Sequence, residues 1–597
     1  MPKSRRKTMD TENEVLATFF DADARYIVPR FQRDYNWKSD HVQEFWEDLH
    51  KHYMDWKKDR VPYYFGSFML VNEDESDPRF LVVDGQQRLT TCMLFFIALR
   101  DYFLEVGETD DVNELNEIIY IDDGTKTSRL QLNRYNDPYF QRQLIPPNPI
   151  SQKKIDVARD VKLKDKQILN TYKEFEKIII DSDNVNFLGV PTEEKNAILR
   201  DIYDHLQRNF IVVTNIFATK HRAYRIFETI NHKGLGLNEN DLVKNYLLEL
   251  IDDTNTIEES QEVIDADTKW GEITNILEQI SIKEDTLLRS HLTAYVGKTP
   301  KKKIYDTVVR RVTDKSTAKN FLNEIEASAK YLSQLKKPEL NEWHNSQVIV
   351  DNLNGYAALS DGAMYPIFLV AKSKLDNKNT EKLIELIVKL HFRAKTVCGV
   401  SFTNIEALVV HICKKFRESS SYAIPDIVED MKNWGSFPDD EVFGVNFKNL
   451  TLSSSPKAKY VLTELEFDMN GGRSMASKII PNDITIEHIM PKNIDDWMAD
   501  IKKETGLSKP AEINDYHQRN LFRLGNLTLL APRPNSIIQN DPYSKKLNGT
   551  GEYTGYMNDE MKLSSRLSQY PTKWTEQEIK NRQDGFLIQA QRIWKIE

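Results

Sequence analysis

Three cysteines in 597 residues, Cys92, Cys398 and Cys413, are too few and too scattered for a disulfide framework or a cysteine-rich zinc site. Any metal this chain uses must be held by oxygen and nitrogen. No run approaches the roughly 18 apolar residues that a membrane span needs, and the basic residues at 3–7 lead into a polar stretch rather than the apolar core of a secretory signal. A cytoplasmic protein with no membrane partner is expected. No Gly-x-x-x-x-Gly-Lys-Ser/Thr occurs, so the phosphate cradle of a P-loop motor is missing and processive translocation is not expected. Positive charge is also short. With a formal net charge of −10, contact with nucleic acid would rest on local patches. The patches are 3–7, 298–303 with Arg310 and Arg311, and 414–417, and solvated faces have the same composition.

What is present reads as an ordinary globular chain, 40% hydrophobic and 29% charged. It is too long for one core, so an α+β multidomain fold with at least two functional units is expected. Tyr63–Val71 and 80–83 read as strands and 89–103 as a largely apolar helix, with the change falling at Asp84 and Gly85. From 113 to 197 the chain is charged and irregular, with helical periodicity around 168–180. This is expected as an accessory helical insertion within about 110–205. Phe210–Phe217 is a β-branched apolar run, hence a buried strand, and 223–230 turns helical. Between 255 and 439 the patterns are almost all helical, as over 381–392 and 406–416. Ser453, Ser454, Ser455 and Pro456 read as a linker or surface loop. The expected division is 1–254, a helical connector 255–439, and a last unit 440–597.

The segment Asp84-Gly85-Gln86-Gln87-Arg88 lies between an apolar strand and an apolar helix, where the first backbone N–H groups have no helical acceptor. Such a turn attracts phosphate through free donors and the helix dipole. Arg88 can add a charged fork, Gln86 and Gln87 can read neutral groups, and Asp84 can hold Mg²⁺ or orient a water. The same residues also suit a plain helix start, with Asp84 as N-cap and Arg88 paired to a surface acid.

Upstream stand Pro29, Phe31, Gln32, Arg33, Asp34, Tyr35 and Trp37, and then Phe65-Gly66-Ser67; downstream stand Phe227, Glu228, Asn231, Gly234, Leu237, Asp241 and Lys244. In this order, over about residues 14–250, they resemble the N-terminal domain of the GmrSD-type restriction proteins, whose fold is similar to ParB and sulfiredoxin. The resemblance implies that this domain binds and hydrolyses a nucleoside triphosphate (GTP, UTP, CTP or ATP) and senses modified DNA. Carried over residue by residue, nucleotide handling falls on Gln32, Arg33, Asp84, Gly85, Gln86, Gln87 and Arg88, and more weakly on Asn231 and Lys244. Phe31, Tyr35 and Trp37 are either stacking surfaces or core.

Phosphodiester hydrolysis needs a base for water, a means of stabilising developing charge, and a rigid frame for both. A strand at 484–486 leads into Glu487-His488-Ile489-Met490-Pro491; 524–530 forms a turn and second strand; Asn535 opens a helix-like segment toward Lys545 and Lys546. Strand, strand, helix with His, Asn, Asn is the HNH or ββα-metal pattern. A hard divalent cation, Mg²⁺ or Mn²⁺, prefers carboxylate and amide oxygen, which makes Glu487 with Asn535 a sensible pair and leaves Asn540 or Asp541 as further ligands. Lys545 and Lys546 can reach scissile-strand phosphate, and His517 is either a phosphate contact or a structural histidine.

Over about 440–580, including the helical 461–466, this pattern resembles the C-terminal nuclease domain of the same GmrSD-type proteins. By that resemblance His488 is the general base, Asn535 a metal ligand at the helix start, and Asn526 the residue that holds the ββ turn. The expected function is NTP-dependent, metal-dependent cleavage or nicking of modified double-stranded phage DNA in defence of a prokaryotic host, by a chain that can act as a homodimer. Two alternatives stay open: an NTP-regulated sensor of DNA or a partner with a vestigial nuclease, and an indiscriminate abortive-infection nuclease.

Overall fold

A computed structural model of the chain describes every residue except 1–8, 22, 31, 33, 75, 122–124, 134–135, 154–165, 181–189, 221–222, 224–225, 227–238, 253–259, 360–361, 474–482 and 550. The basic run 3–7 and most of the helix expected over 223–230 lie outside the described residues. The chain divides into two compact units, 1–272 with 301–326 and 273–300 with 327–597, so the helical stretch 255–439 is shared between them.

Among the described residues of the first unit six strands make one mixed sheet: β1 (Met9–Val15), β2 (Arg25–Ile27), β3 (Tyr63–Val71), β4 (Arg79–Asp84), β5 (Leu130–Gln131) and β6 (Phe210–Phe217). Their order is β1-β6-β3-β4-β2-β5. The two apolar runs legible in the sequence, β3 and β6, pair in parallel from Tyr63 opposite Phe210 to Val71 opposite Phe217. No periodicity announces β1, whose sequence is polar. It forms because it pairs antiparallel with β6 at the edge of the sheet, where charged side chains are tolerated and discourage further pairing.

The helix Gln86–Val106 is buried without a break from Leu89 to Phe103, as suits a helix apolar on every side. Its Phe95 meets Phe45 of helix Ser39–Asp59 and Phe175 of helix Lys166–Ile180, with ring centroids 6.2 and 5.3 Å away. Part of the stretch expected as an insertion is therefore core. Asp101, fully buried, accepts hydrogen bonds from Arg100, Lys153 and Tyr172, which compensates charges too costly to bury alone.

Among its described residues, the second unit is helical apart from one antiparallel ladder, β7 (Thr485–His488) with β8 (Leu527–Leu530). The amphipathic runs near 381–392 and 406–416 form helices Asn377–His391 and Phe402–Glu418. Ser453 to Pro456 is a helix start rather than a linker: helix Ser455–Met469 is preceded by Ser454 and has Pro456 in its first turn, where a missing N–H costs nothing. Ile489, Met490, Trp497, Tyr543, Trp574 and Ile579 belong to the core around the ladder.

Candidate functional site

The register of the ladder sets Glu487 opposite Thr528 and His488 opposite Leu527. Successive strand side chains leave opposite faces, so Glu487 and His488 diverge. The half-buried His488 ring lies edge-on to Phe522, centroids 5.7 Å apart. No described group hydrogen-bonds its ring nitrogens. Burial pushes its pKa down to about 4, and the charges of Lys492, Lys546 and His517 push the same way. The ring is therefore neutral at pH 7, with an acceptor nitrogen open to a hydrogen bond from water.

Asn526 is fully buried and works as a clamp. Its Oδ1 accepts from Met490 N (2.8 Å) and Trp574 Nε1 (2.9 Å), while its Nδ2 donates to Met490 O (3.0 Å) and Leu521 O (3.1 Å). With no free donor facing solvent, it locks the residues after His488 to the start of β8. Asn535 does not open a helix; it lies inside helix Pro532–Ile538, and its Nδ2 reaches back to Thr485 Oγ1 (2.8 Å) and Ile486 O (3.2 Å). The helix ends at Gln539, whose φ of 31° breaks the run expected to continue to Lys546. Asn540 and Asp541 offer main-chain oxygens to Trp497 Nε1. His517 is buried, with Nε2 on Pro491 O at 2.8 Å, and is a structural histidine.

Glu487 and Lys546 were expected to face a cation and DNA; both are instead buried against each other. Lys546 Nζ donates to Glu487 Oε1 at 2.5 Å and Tyr556 OH donates to the same oxygen at 2.8 Å. Burial raises the Glu487 carboxyl, with Lys546 and Tyr556 drawing it back, and lowers the Lys546 ammonium. Lys545 is exposed, with Asp541 at 3.9 Å as its acidic neighbour among the described residues. The expected divalent cation thus finds a poor donor set: the carboxylate is neutralised, Asn535 contributes one amide oxygen, and among the described residues no three His, Cys, Asp or Glu side chains converge. The residues as arranged do not fit a hard cation.

At the other motif, β4 ends at Asp84 and Gly85 turns the chain into the helix with φ of 95°. A side chain there would be strained, and its Cβ would lie 2.3 Å from the Phe68 ring. The three glutamines build the frame of the turn. Gln32 Nε2 donates to Val83 O (2.8 Å), Gln86 Nε2 to Gln32 Oε1 (3.3 Å), and Gln87 Oε1 accepts from Asn36 N (3.0 Å). Arg88 lies 5.5 Å from the Phe68 ring centroid and donates to Ser67 O at 2.5 Å. No described group hydrogen-bonds the Asp84 carboxylate. Arg33, Phe31 and Asn231 lie outside the described residues. Tyr35 is core, its hydroxyl on Thr91 Oγ1 at 2.8 Å, and the Lys244 ammonium is taken by buried Asp267 at 2.9 Å. A cavity of about 360 Å³ lies at the far end of β4, lined by Asp10, Glu12, Asp23, Asp77, Phe80 and Ile216. Its acidic wall is the wrong sign for a triphosphate.

Three residues had no signal in the sequence. Trp574, Arg582 and Gln583 grip the turn before β8: buried Arg582 donates to Gly525 O and Leu527 O, both at 2.7 Å, and Gly525 N donates to Gln583 Oε1 at 3.2 Å. A Cβ at Gly525 would meet Ile579 O at 2.0 Å, which is why this position carries none. Residues 16–248 match the GmrSD restriction endonuclease N-terminal domain, and residues 437–587 match the GmrSD restriction endonucleases C-terminal domain. No curated protein matches the chain. With both domains present, in order, over more than half its length, the chain belongs to the GmrSD restriction endonuclease family.

Proposed function

We propose that this restriction endonuclease cuts modified foreign DNA at an HNH-type centre in which His488 is the general base. The observation that carries this reading is His488 itself: a neutral, half-buried imidazole without a described hydrogen-bond partner, on a two-stranded ladder whose geometry Asn526 locks. Proton transfer from water to such a base contributes about 10² to 10⁴ in rate. Asn526 acts as frame, Asn535 ties the following helix to β7, and exposed Lys545 is available to a phosphate. The ladder followed by helix Pro532–Ile538 supports the ββα reading.

We further propose that the ParB/sulfiredoxin-like first unit binds a nucleoside triphosphate and gates cleavage. Its phosphates would face the first N–H groups of helix Gln86–Val106 and Arg88, with Asp84 oriented to a water. The glutamines shape that turn rather than touch the ligand. The test uses the full chain against plain, glucosylated and phosphorothioated DNA, with and without each NTP, in Mg²⁺ and in Mn²⁺. Cleavage confined to one modified substrate and altered by one NTP is expected. Equal cutting of all substrates rejects the modification requirement. Asp84→Ala and Arg88→Ala should each abolish NTP hydrolysis with the fold intact, and full hydrolysis by both variants rejects the nucleotide site.

A further inference from the structure

Taking His488 as the base, the neighbouring Glu487 is the natural carboxylate for a divalent cation, yet the side-chain arrangement disagrees. Glu487 leaves β7 on the face opposite His488, where it is 5% exposed beside Lys546 and Tyr556, each 0% exposed. Its Oε1 already accepts from Lys546 Nζ at 2.5 Å and from Tyr556 OH at 2.8 Å. The same Nζ also donates to His488 O at 3.2 Å. One buried ammonium therefore grips both the carboxylate and the main chain that bears the base. Helix Tyr543–Asn548, which carries Lys546, is fastened in turn: Tyr543 OH donates to Tyr570 O at 2.9 Å. A carboxylate out of water needs a partner of opposite charge and hydrogen bonds to its oxygens, and here it has both. A divalent cation at Glu487 would instead set two positive centres side by side without solvent between them.

We infer that Lys546 is the resident cation of Glu487 and a positioning residue for His488, and that Glu487 does not ligate a divalent cation. Lys546 accordingly makes no contact with DNA. This rests on the His488 reading above, and three full-length variants separate the two. Glu487→Gln keeps an acceptor for Lys546 and Tyr556, so Mn²⁺ binding, followed by electron paramagnetic resonance, should equal that of wild type, whether measurable or absent in both. Losing a carboxylate ligand would weaken it at least about tenfold, and that result overturns the inference.

Lys546→Met strands a buried carboxylate and should lower kcat for cleavage with KM for DNA unchanged; a raised KM with kcat intact would mark a phosphate contact instead. The doubly neutral Glu487→Gln, Lys546→Met chain removes the unpaired charge but not the lost hold on His488 O, so its kcat should stay at least about tenfold below wild type. A folded double variant that cuts at the wild-type rate overturns the positioning role. If His488→Ala still cuts at the wild-type rate, the base assignment falls, while the Mn²⁺ comparison still decides what Glu487 holds.

Discussion

At the scale of single residues, His488 and its neighbour show how adjacency in sequence separates in space. His488→Ala should lower cleavage by about 10² to 10⁴ and leave NTP hydrolysis unchanged, measured on the same preparation. The pH profile is a sharper check. A base works when deprotonated, and burial has pushed His488 down to about 4 from its ordinary 6.5. The acid limb of kcat/KM should therefore sit near 4, with cleavage persisting as pH falls past 6.5; a limb at or above 6.5 would contradict this environment. That His488 is a candidate base was legible through the family motif around it; a histidine after a glutamate carries little signal alone. What Glu487 and Lys546 do was not legible, since a one-residue step reverses the face and the partner lies 59 positions away.

Elements add constraints that no single side chain reveals. Helix Ser39–Asp59, helix Thr192–Asn209 and the residues before β3 are joined by a hydrogen-bonded relay. His52 Nε2 meets Val61 O at 2.8 Å, His52 Nδ1 meets His205 Nε2 at 2.8 Å, and Asn209 Nδ2 meets His205 Nδ1 at 3.0 Å. A carbonyl only accepts and an amide nitrogen only donates, so the tautomers follow: His52 carries a proton on Nε2, and His205 carries its own on Nε2 and is neutral. Burial, and then His52, lower the His205 pKa to about 4. The unfolded chain, near 6.5, binds the proton first as pH falls. The stability this relay contributes is thus complete above 6.5 and lost as pH drops from 6.5 toward 4. Thermal unfolding between pH 7.5 and 5 should show a falling Tm in wild type and a flatter dependence in His205→Leu; parallel curves would dismiss the relay.

Over the whole molecule, the nuclease segment does not stop where composition changes near 440. Arg393, 1% exposed, donates from its NH2 nitrogen to Pro438 O at 2.9 Å and Asp440 Oδ1 at 2.8 Å, and stacks 4.5 Å from the Phe443 ring centroid. Phe392 meets Trp594 with centroids 4.0 Å apart. Residues before 440 therefore complete the core around the C-terminus, and Arg393→Met should destabilise the second unit by roughly 2–4 kcal/mol. Urea unfolding followed by tryptophan fluorescence measures this, and an unchanged midpoint would show the joint to be dispensable. The sequence by itself determined the strands Tyr63–Val71 and Phe210–Phe217, the buried helix after Gly85, the two family motifs and the histidine that can act as base. These are local: periodicity, turn chemistry and motif spacing are written within a few tens of residues. Only the tertiary structure decided that polar Met9–Val15 is an edge strand, that Tyr35 and Gln87 are frame, that Lys546 neutralises Glu487, and that Arg582 braces the turn before β8. Each depends on a partner distant in the chain, and burial of a polar group becomes favourable only once that partner is in place.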